Sequence, residues 1–171
     1  YDVLIIGAGP AGANAAISYK NLNPNLTVGL VDKAIFPRDK SCGDAIGPGV
    51  ISALKRFNNE HILDGEPQVV STTLYGPDNI GIQNYIPEVK NKEDSIVYVI
   101  PRVDLDNRIL DLAKECGVDV YEGYSFVNFT SNLDKSLNVQ IKNENENLEF
   151  LTKILVGADG ANSRIRKKLS Y

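Results

Sequence analysis

Three glycines near the start of the chain restrict its fold more than any other feature. The apolar run Val3-Leu-Ile-Ile6 is strand-sized and stops at Gly7, and Gly9 and Gly12 follow in Gly7-Ala-Gly9-Pro-Ala-Gly12. A strand that turns directly into a helix around a pyrophosphate needs glycine at three places. One makes the tight turn, one lets the backbone approach the ligand, and one lets the helix pack closely on the strand. Gly7, Gly9 and Gly12 have that spacing. Pro10 suits the first helical turn, where its missing N–H would have been unpaired anyway. The helix N-terminus then offers N–H groups and a positive dipole end to phosphates. Gly7, Gly9, Pro10, Ala11 and Gly12 are therefore candidate ligand contacts.

A second apolar run, Leu26-Thr-Val-Gly-Leu-Val31, ends in Asp32, 20 residues after Gly12. A carboxylate there can accept both hydroxyls of an adenosine ribose and would repel a 2′-phosphate, although Lys33 beside it softens that repulsion. Strand, helix and acid in this register imply an ADP-containing dinucleotide. The competing reading is a glycine-rich turn in some other α/β domain.

The 171 residues are enough for one sizeable core. A net charge of −4 without a basic stripe argues against nucleic acid as a partner. The cluster Arg164-Ile-Arg166-Lys167-Lys168 reads as a solvated helix face. Two cysteines, Cys42 and Cys116, are too few for a disulfide framework and fit a reducing compartment. No apolar run is long enough to span a membrane, so a cytoplasmic location is expected. The chain has no Met, even at position 1, and a trimmed start is expected from that.

Along the chain, residues 2–6, 10–21 and 27–31 read as strand, helix and strand. A loop over 33–47 leads to a helix from Pro48 to Phe57, with Val50, Ile51, Leu54 and Phe57 at helical spacing. Residues 68–100 are β-branched and aromatic with turn breaks, including Gly76-Pro-Asp-Asn79 and the strand-like Ser95-Ile-Val-Tyr-Val-Ile100. They read as an antiparallel segment inserted between the dinucleotide-binding elements. A helix follows from Arg102 to Cys116, with Val103, Leu105, Ile109, Leu110, Leu112 and Ala113 on its apolar face and Gly117 as its stop. Strands are expected at 118–121, 124–130, 137–142, 148–151 and 154–156. A short helix, capped by Asn162 or Ser163, comes after Gly157-Ala-Asp159-Gly160.

Three stretches together carry a family resemblance. They are the glycine turn with Asp32, the loop Phe36-Pro-Arg-Asp-Lys-Ser-Cys-Gly-Asp44, and Gly157-Ala-Asp-Gly160 followed by Ala-Asn-Ser-Arg164. The chain resembles the N-terminal part of flavoproteins of the para-hydroxybenzoate hydroxylase type and, within them, the geranylgeranyl reductase family. The resemblance implies an α/β, Rossmann-like FAD-binding domain of the glutathione reductase type 2 style over residues 1–171, with an inserted antiparallel β segment. Residues 68–100 would contribute to a substrate domain. It also implies that Asp159 and Gly160 lie near the ribose–pyrophosphate of FAD, and that Cys42, Gly43 and Asp44 approach the flavin ring. Arg38 could neutralise the pyrophosphate, with Lys40 adding to it.

Arg102, in the first turn of its helix, works against the dipole and so calls for an anionic or polar partner. By the resemblance that partner is the cofactor; otherwise it is Asp104 or Asp106. Cys42 is either a polarisable neighbour of the flavin or simply a small, half-buried loop residue. Cys116 is expected in the core and His61 at the surface. Neither a catalytic residue nor a metal ligand is assigned. The family's later Gly-Asp motif does not occur after Asp159, so the chain is expected to be an N-terminal portion that is not competent alone.

The activity implied is an FAD-dependent reduction of carbon–carbon double bonds in an isoprenoid chain. NAD(P)H would be the transient reductant, the substrate lipid-like and membrane contact peripheral. Monooxygenation or halogenation with the same cofactor is the alternative, and a non-catalytic nucleotide-binding module is the second.

Overall fold

A computed structural model describes residues 1–85 and 97–169. The chain divides into two compact units, Tyr1–Asp39 with Asp106–Tyr171, and Lys40–Leu105. The first unit is therefore built from two separated stretches of sequence.

In the first unit, β1 (Val3–Ile6) lies between β11 (Ile154–Gly157) and β2 (Val28–Asp32), with β7 (Asp119–Glu122) beyond β2. All three pairings are parallel, with Val3 opposite both Ile154 and Val28. Every residue of β1 is buried, as expected for a parallel strand covered on both faces. Helix α1 (Pro10–Leu22) turns Gly12, Ala13, Ala16 and Ile17 inward. These small residues let it sit close to the sheet. An antiparallel sheet of β8 (Ser125–Ser131), β9 (Leu137–Lys142) and β10 (Asn147–Thr152) belongs to the same unit. Leu4, Ile6 and Val31 form one core with Phe126, Val139 and Ile141, joined by Ile165 of α4 (Arg164–Leu169).

The second unit holds β3 (Ala45–Ile46), α2 (Pro48–Lys55), a 3-10 turn at Glu60–Leu63, and the strands β4 (Ser71–Tyr75), β5 (Gly81–Tyr85) and β6 (Tyr98–Val99). β3 pairs with β6, and β4 with β5, all antiparallel. Residues 95 and 96 of the strand expected to end at Ile100 lie outside the described residues. Helix α2 ends at Lys55, two residues short of the expected Phe57, and Val50 is exposed. Only Ile51 and Leu54 of its apolar positions are buried. Helix α3 (Arg102–Glu115) begins in the second unit and continues in the first. Its residues Leu105, Ile109, Leu110, Leu112 and Ala113 are buried, as the periodicity requires. His61 is exposed. Cys116, expected in the core, is only half-buried because α3 ends one residue before it.

Candidate functional site

The glycine turn is shaped by the protein's own backbone at two of its three glycines. Gly7 has φ +103°, and a Cβ there would lie 2.3 Å from the Ala158 carbonyl oxygen. At Gly12 a Cβ would lie 1.8 Å from the Gly7 carbonyl oxygen. Neither position tolerates a side chain. Gly9 differs. Its backbone is extended (φ −66°, ψ 178°), and an added Cβ would meet only Arg38 Nη2, at 3.5 Å. Nothing in the protein's packing requires glycine at position 9, and the space beside it is what a close-lying ligand would occupy. Gly9 is also the N-cap of α1, without a side-chain cap and without an acid in the first turn. Pro10 holds the first position, and Ala11 beside it is exposed.

Asp32 closes the turn from the end of β2. Its Oδ2 accepts the Ala8 N–H at 2.7 Å and its Oδ1 the Ala34 N–H at 2.9 Å. Each oxygen keeps a second lone pair, so the carboxylate both braces the loop and can receive a hydroxyl. Lys33 is exposed.

The chain after Asp32 is pinned onto the same unit. Gly123 N–H donates to the Ala34 carbonyl at 3.1 Å, and Phe36 N–H to Glu122 Oε1 at 2.7 Å. This brings Arg38 to Gly9. The guanidinium lies over the Phe36 ring, 4.8 Å from its centroid, and Nη1 is 3.1 Å from Oδ2 of the buried Asp106. That ion pair lacks hydrogen-bond alignment, and the buried Nη1 donates to no acceptor among the described residues. Asp106 and Glu122 were not among the residues expected here. The sequence offers Asp106 only as a partner for Arg102.

Asp159 works at the head of α4. Its Oδ2 accepts the Arg164 N–H at 2.7 Å, while Oδ1 is buried and accepts nothing among the described residues. Ser163, not Asn162, is the N-cap, since its Oγ accepts the Arg166 N–H at 2.9 Å. Gly160, at φ +83°, needs to be glycine for its backbone alone. Arg164 and Arg166 donate to the carbonyls of Phe126 and Ala161.

A separate cluster lies within the second unit. Asp44, at φ 54°, accepts the Arg102 N–H on Oδ1 at 3.3 Å, and its carbonyl accepts the Ile100 N–H at 2.9 Å. It thus ties the start of α3 to the loop. The Cys42 thiol titrates below its ordinary value, first because the Asp44 N–H and then the Arg102 side chain stabilise the thiolate. Cys42 is exposed rather than half-buried, and Lys40 is exposed too. A Cβ on Gly43 would meet nothing within 4 Å. The Cys116 thiol is shifted the other way, by burial and then by Glu115.

The family described as an FAD binding domain matches residues 1–171. The chain belongs to that family. Gly9, the donor atom on Arg38 and the carboxylate of Asp32 fit the diphosphate and ribose of such a cofactor. This FAD-binding domain is 29% identical over 168 residues to a menaquinone reductase of Mycolicibacterium smegmatis, covering 98% of the chain and 39% of the relative. It is also 29% identical over 171 residues to a geranylgeranyl diphosphate reductase of Rhodobacter capsulatus, covering 99% and 40%. The chain thus spans about two fifths of the length of these curated relatives. The crystal structure of CmlS, a flavin-dependent halogenase, superposes with a TM-score of 0.83 at 23% identity, over 98% of this chain and 30% of that one. That likeness shows the fold.

Proposed function

We propose that this FAD-binding domain serves an oxidoreductase of the geranylgeranyl reductase type, which reduces carbon–carbon double bonds of an isoprenoid chain with NAD(P)H. The observation that carries cofactor binding is the open space at Gly9, bordered by the Arg38 guanidinium at the head of an uncapped helix. Support for the reductase chemistry comes from the Pro37-to-Asp44 loop and from two relatives that are named reductases.

When bound, FAD supplies the hydride-transfer chemistry, and the protein supplies position and electrostatics. Gly9 admits the diphosphate, and the α1 N-terminus and Arg38 meet its charge. Asp32 holds the loop and receives the ribose. Cys42, Gly43, Asp44 and Arg102 enter this reading only through the resemblance of their loop, as does Asp159 through its Asp-Gly turn. A lipid-like substrate implies peripheral contact with a membrane. Among the described residues no helix is long and apolar enough to cross one. Halogenation or monooxygenation with the same cofactor is the second reading, because this fold by itself does not fix the reaction.

Gly9→Ala tests the cofactor site more cleanly than Asp32→Ala, which would also release two loop N–H groups. The added methyl should weaken FAD binding by about tenfold or more without lowering the melting temperature, since it intrudes only on the ligand's space. An unchanged FAD affinity would remove this site. For the reaction, the full-length protein should consume NADH or NADPH anaerobically with a prenyl substrate. Consumption only with oxygen and an aromatic compound would favour the second reading.

A further inference from the structure

Asp106 is an acid on the apolar side of a helix. It shares a face of α3 with Ile109, Leu110 and Ala113, at i, i+3, i+4 and i+7, and all four are buried. A carboxylate in such a place needs an opposite charge beside it. Arg38 supplies one, its Nη1 3.1 Å from Oδ2. The guanidinium is held on other sides too, by the Phe36 ring and by a loop that Glu122 and Gly123 anchor. Its Nη2 borders Gly9, and its buried Nη1 has no hydrogen-bond acceptor among the described residues.

In Coulombic terms this pairing works against anion binding, because Asp106 offsets the charge that would attract a diphosphate. What the pair supplies is a fixed orientation. An arginine on a surface loop would sample many rotamers and lose that freedom on binding, whereas one already seated loses little. We infer that Asp106 is a positioning residue for the cofactor's diphosphate, seating Arg38 beside Gly9 so that its donors meet phosphate oxygens. The inference rests on the FAD-binding reading above. It concerns Arg38 through Asp106, and Asp106 itself touches no ligand.

Asp106→Asn separates position from charge, because it keeps the side-chain shape and removes the negative charge. FAD, ADP and adenosine, which lacks phosphate, are titrated calorimetrically into the full chain and the variant, with melting temperatures recorded. If Asp106 seats Arg38, affinity for FAD and ADP falls about tenfold while that for adenosine changes by less than about twofold. In the Arg38→Met/Asp106→Asn double variant, ADP binding then falls little further than in Asp106→Asn. If Arg38 acts by charge alone, ADP binds Asp106→Asn as well as or better than the parent, and the inference is overturned. An equal loss for adenosine also overturns it, since that marks a purely structural role.

Should Asp106→Asn fail to fold, Phe36→Leu keeps both charges and removes only the ring beneath the guanidinium. A lowered ratio of ADP to adenosine affinity supports the inference, and an unchanged ratio overturns it. Failure of the parent chain to bind FAD would remove the cofactor reading and this inference together. FAD binding with an unaltered ratio in the variants would remove the inference alone.

Discussion

A methyl group added at Gly12 would sit 1.8 Å from a backbone oxygen, whereas one added at Gly43 would meet nothing within 4 Å. Both glycines lie in stretches that carry the family resemblance, yet only the first is required by the packing around it. The Gly7–Gly12 turn is fixed by the protein itself, through the backbone of Ala158, the carboxylate of Asp32 and the pinned loop that delivers Arg38. The Cys42–Asp44 loop is tied at Asp44 and otherwise exposed. Steric necessity explains glycine at positions 7 and 12 of the first region. In the second, packing leaves glycine unexplained.

The largest effect that could break this contrast is on folding. Gly12→Ala should cost on the order of 4 kcal/mol or more, and Gly43→Ala should stay within about 0.5 kcal/mol, both read by urea denaturation. Comparable losses at the two sites would mean that the second loop is as tightly built as the first.

A smaller effect is expected at Asp44. Its replacement by Ala removes the acceptor of the Arg102 N–H and places a residue less suited to φ 54° there. A loss of about 1–2 kcal/mol should follow, while Asp44→Asn, which keeps an acceptor and tolerates that backbone, should lose less. If Asn and Ala are equally harmful, charge rather than capping is at work.

The mildest probe compares the two thiols. The thiolate is the reactive form, so alkylation speeds up as pH rises through each pKa. Cys42 is lowered and Cys116 raised, so the rate at Cys42 should reach half-maximum at the lower pH. Arg102→Ala should move the Cys42 midpoint upward, since it removes a group that favours the thiolate. Coincident midpoints would show that the Asp44 N–H and Arg102 do not act on the sulfur.

What the sequence made legible follows the same division. The β1–α1–β2 start, the apolar face of α3 and the strands from β7 to β11 were readable because period, glycine and apolar runs agree locally. The double duty of Asp32 was only half readable, since which N–H groups it accepts depends on how the loop folds back. Asp106 was missed because α3 carries several acids, and only tertiary packing buries one of them. A signal was present, however: Asp106 falls on the Ile109–Leu110–Ala113 stripe, where a carboxylate demands a cation. Ser163 and Asn162 could not be told apart as caps, because both suit the role and the helix could begin after either.

The parallel pairing of Val3 with Ile154 also bears on synthesis. These partners are 151 residues apart (154 − 3), and Gly7 is crowded by Ala158 from the same distant stretch. A ribosome adding about 5–20 residues per second would leave β1 without that neighbour for roughly 8–30 s. Within the unbroken stretch from Lys40 to Leu105, by contrast, β3 pairs with β6 and β4 with β5 at much shorter separations. The Gly7–Gly12 turn, although it precedes β11 in the chain, takes its final shape only after β11 has been made.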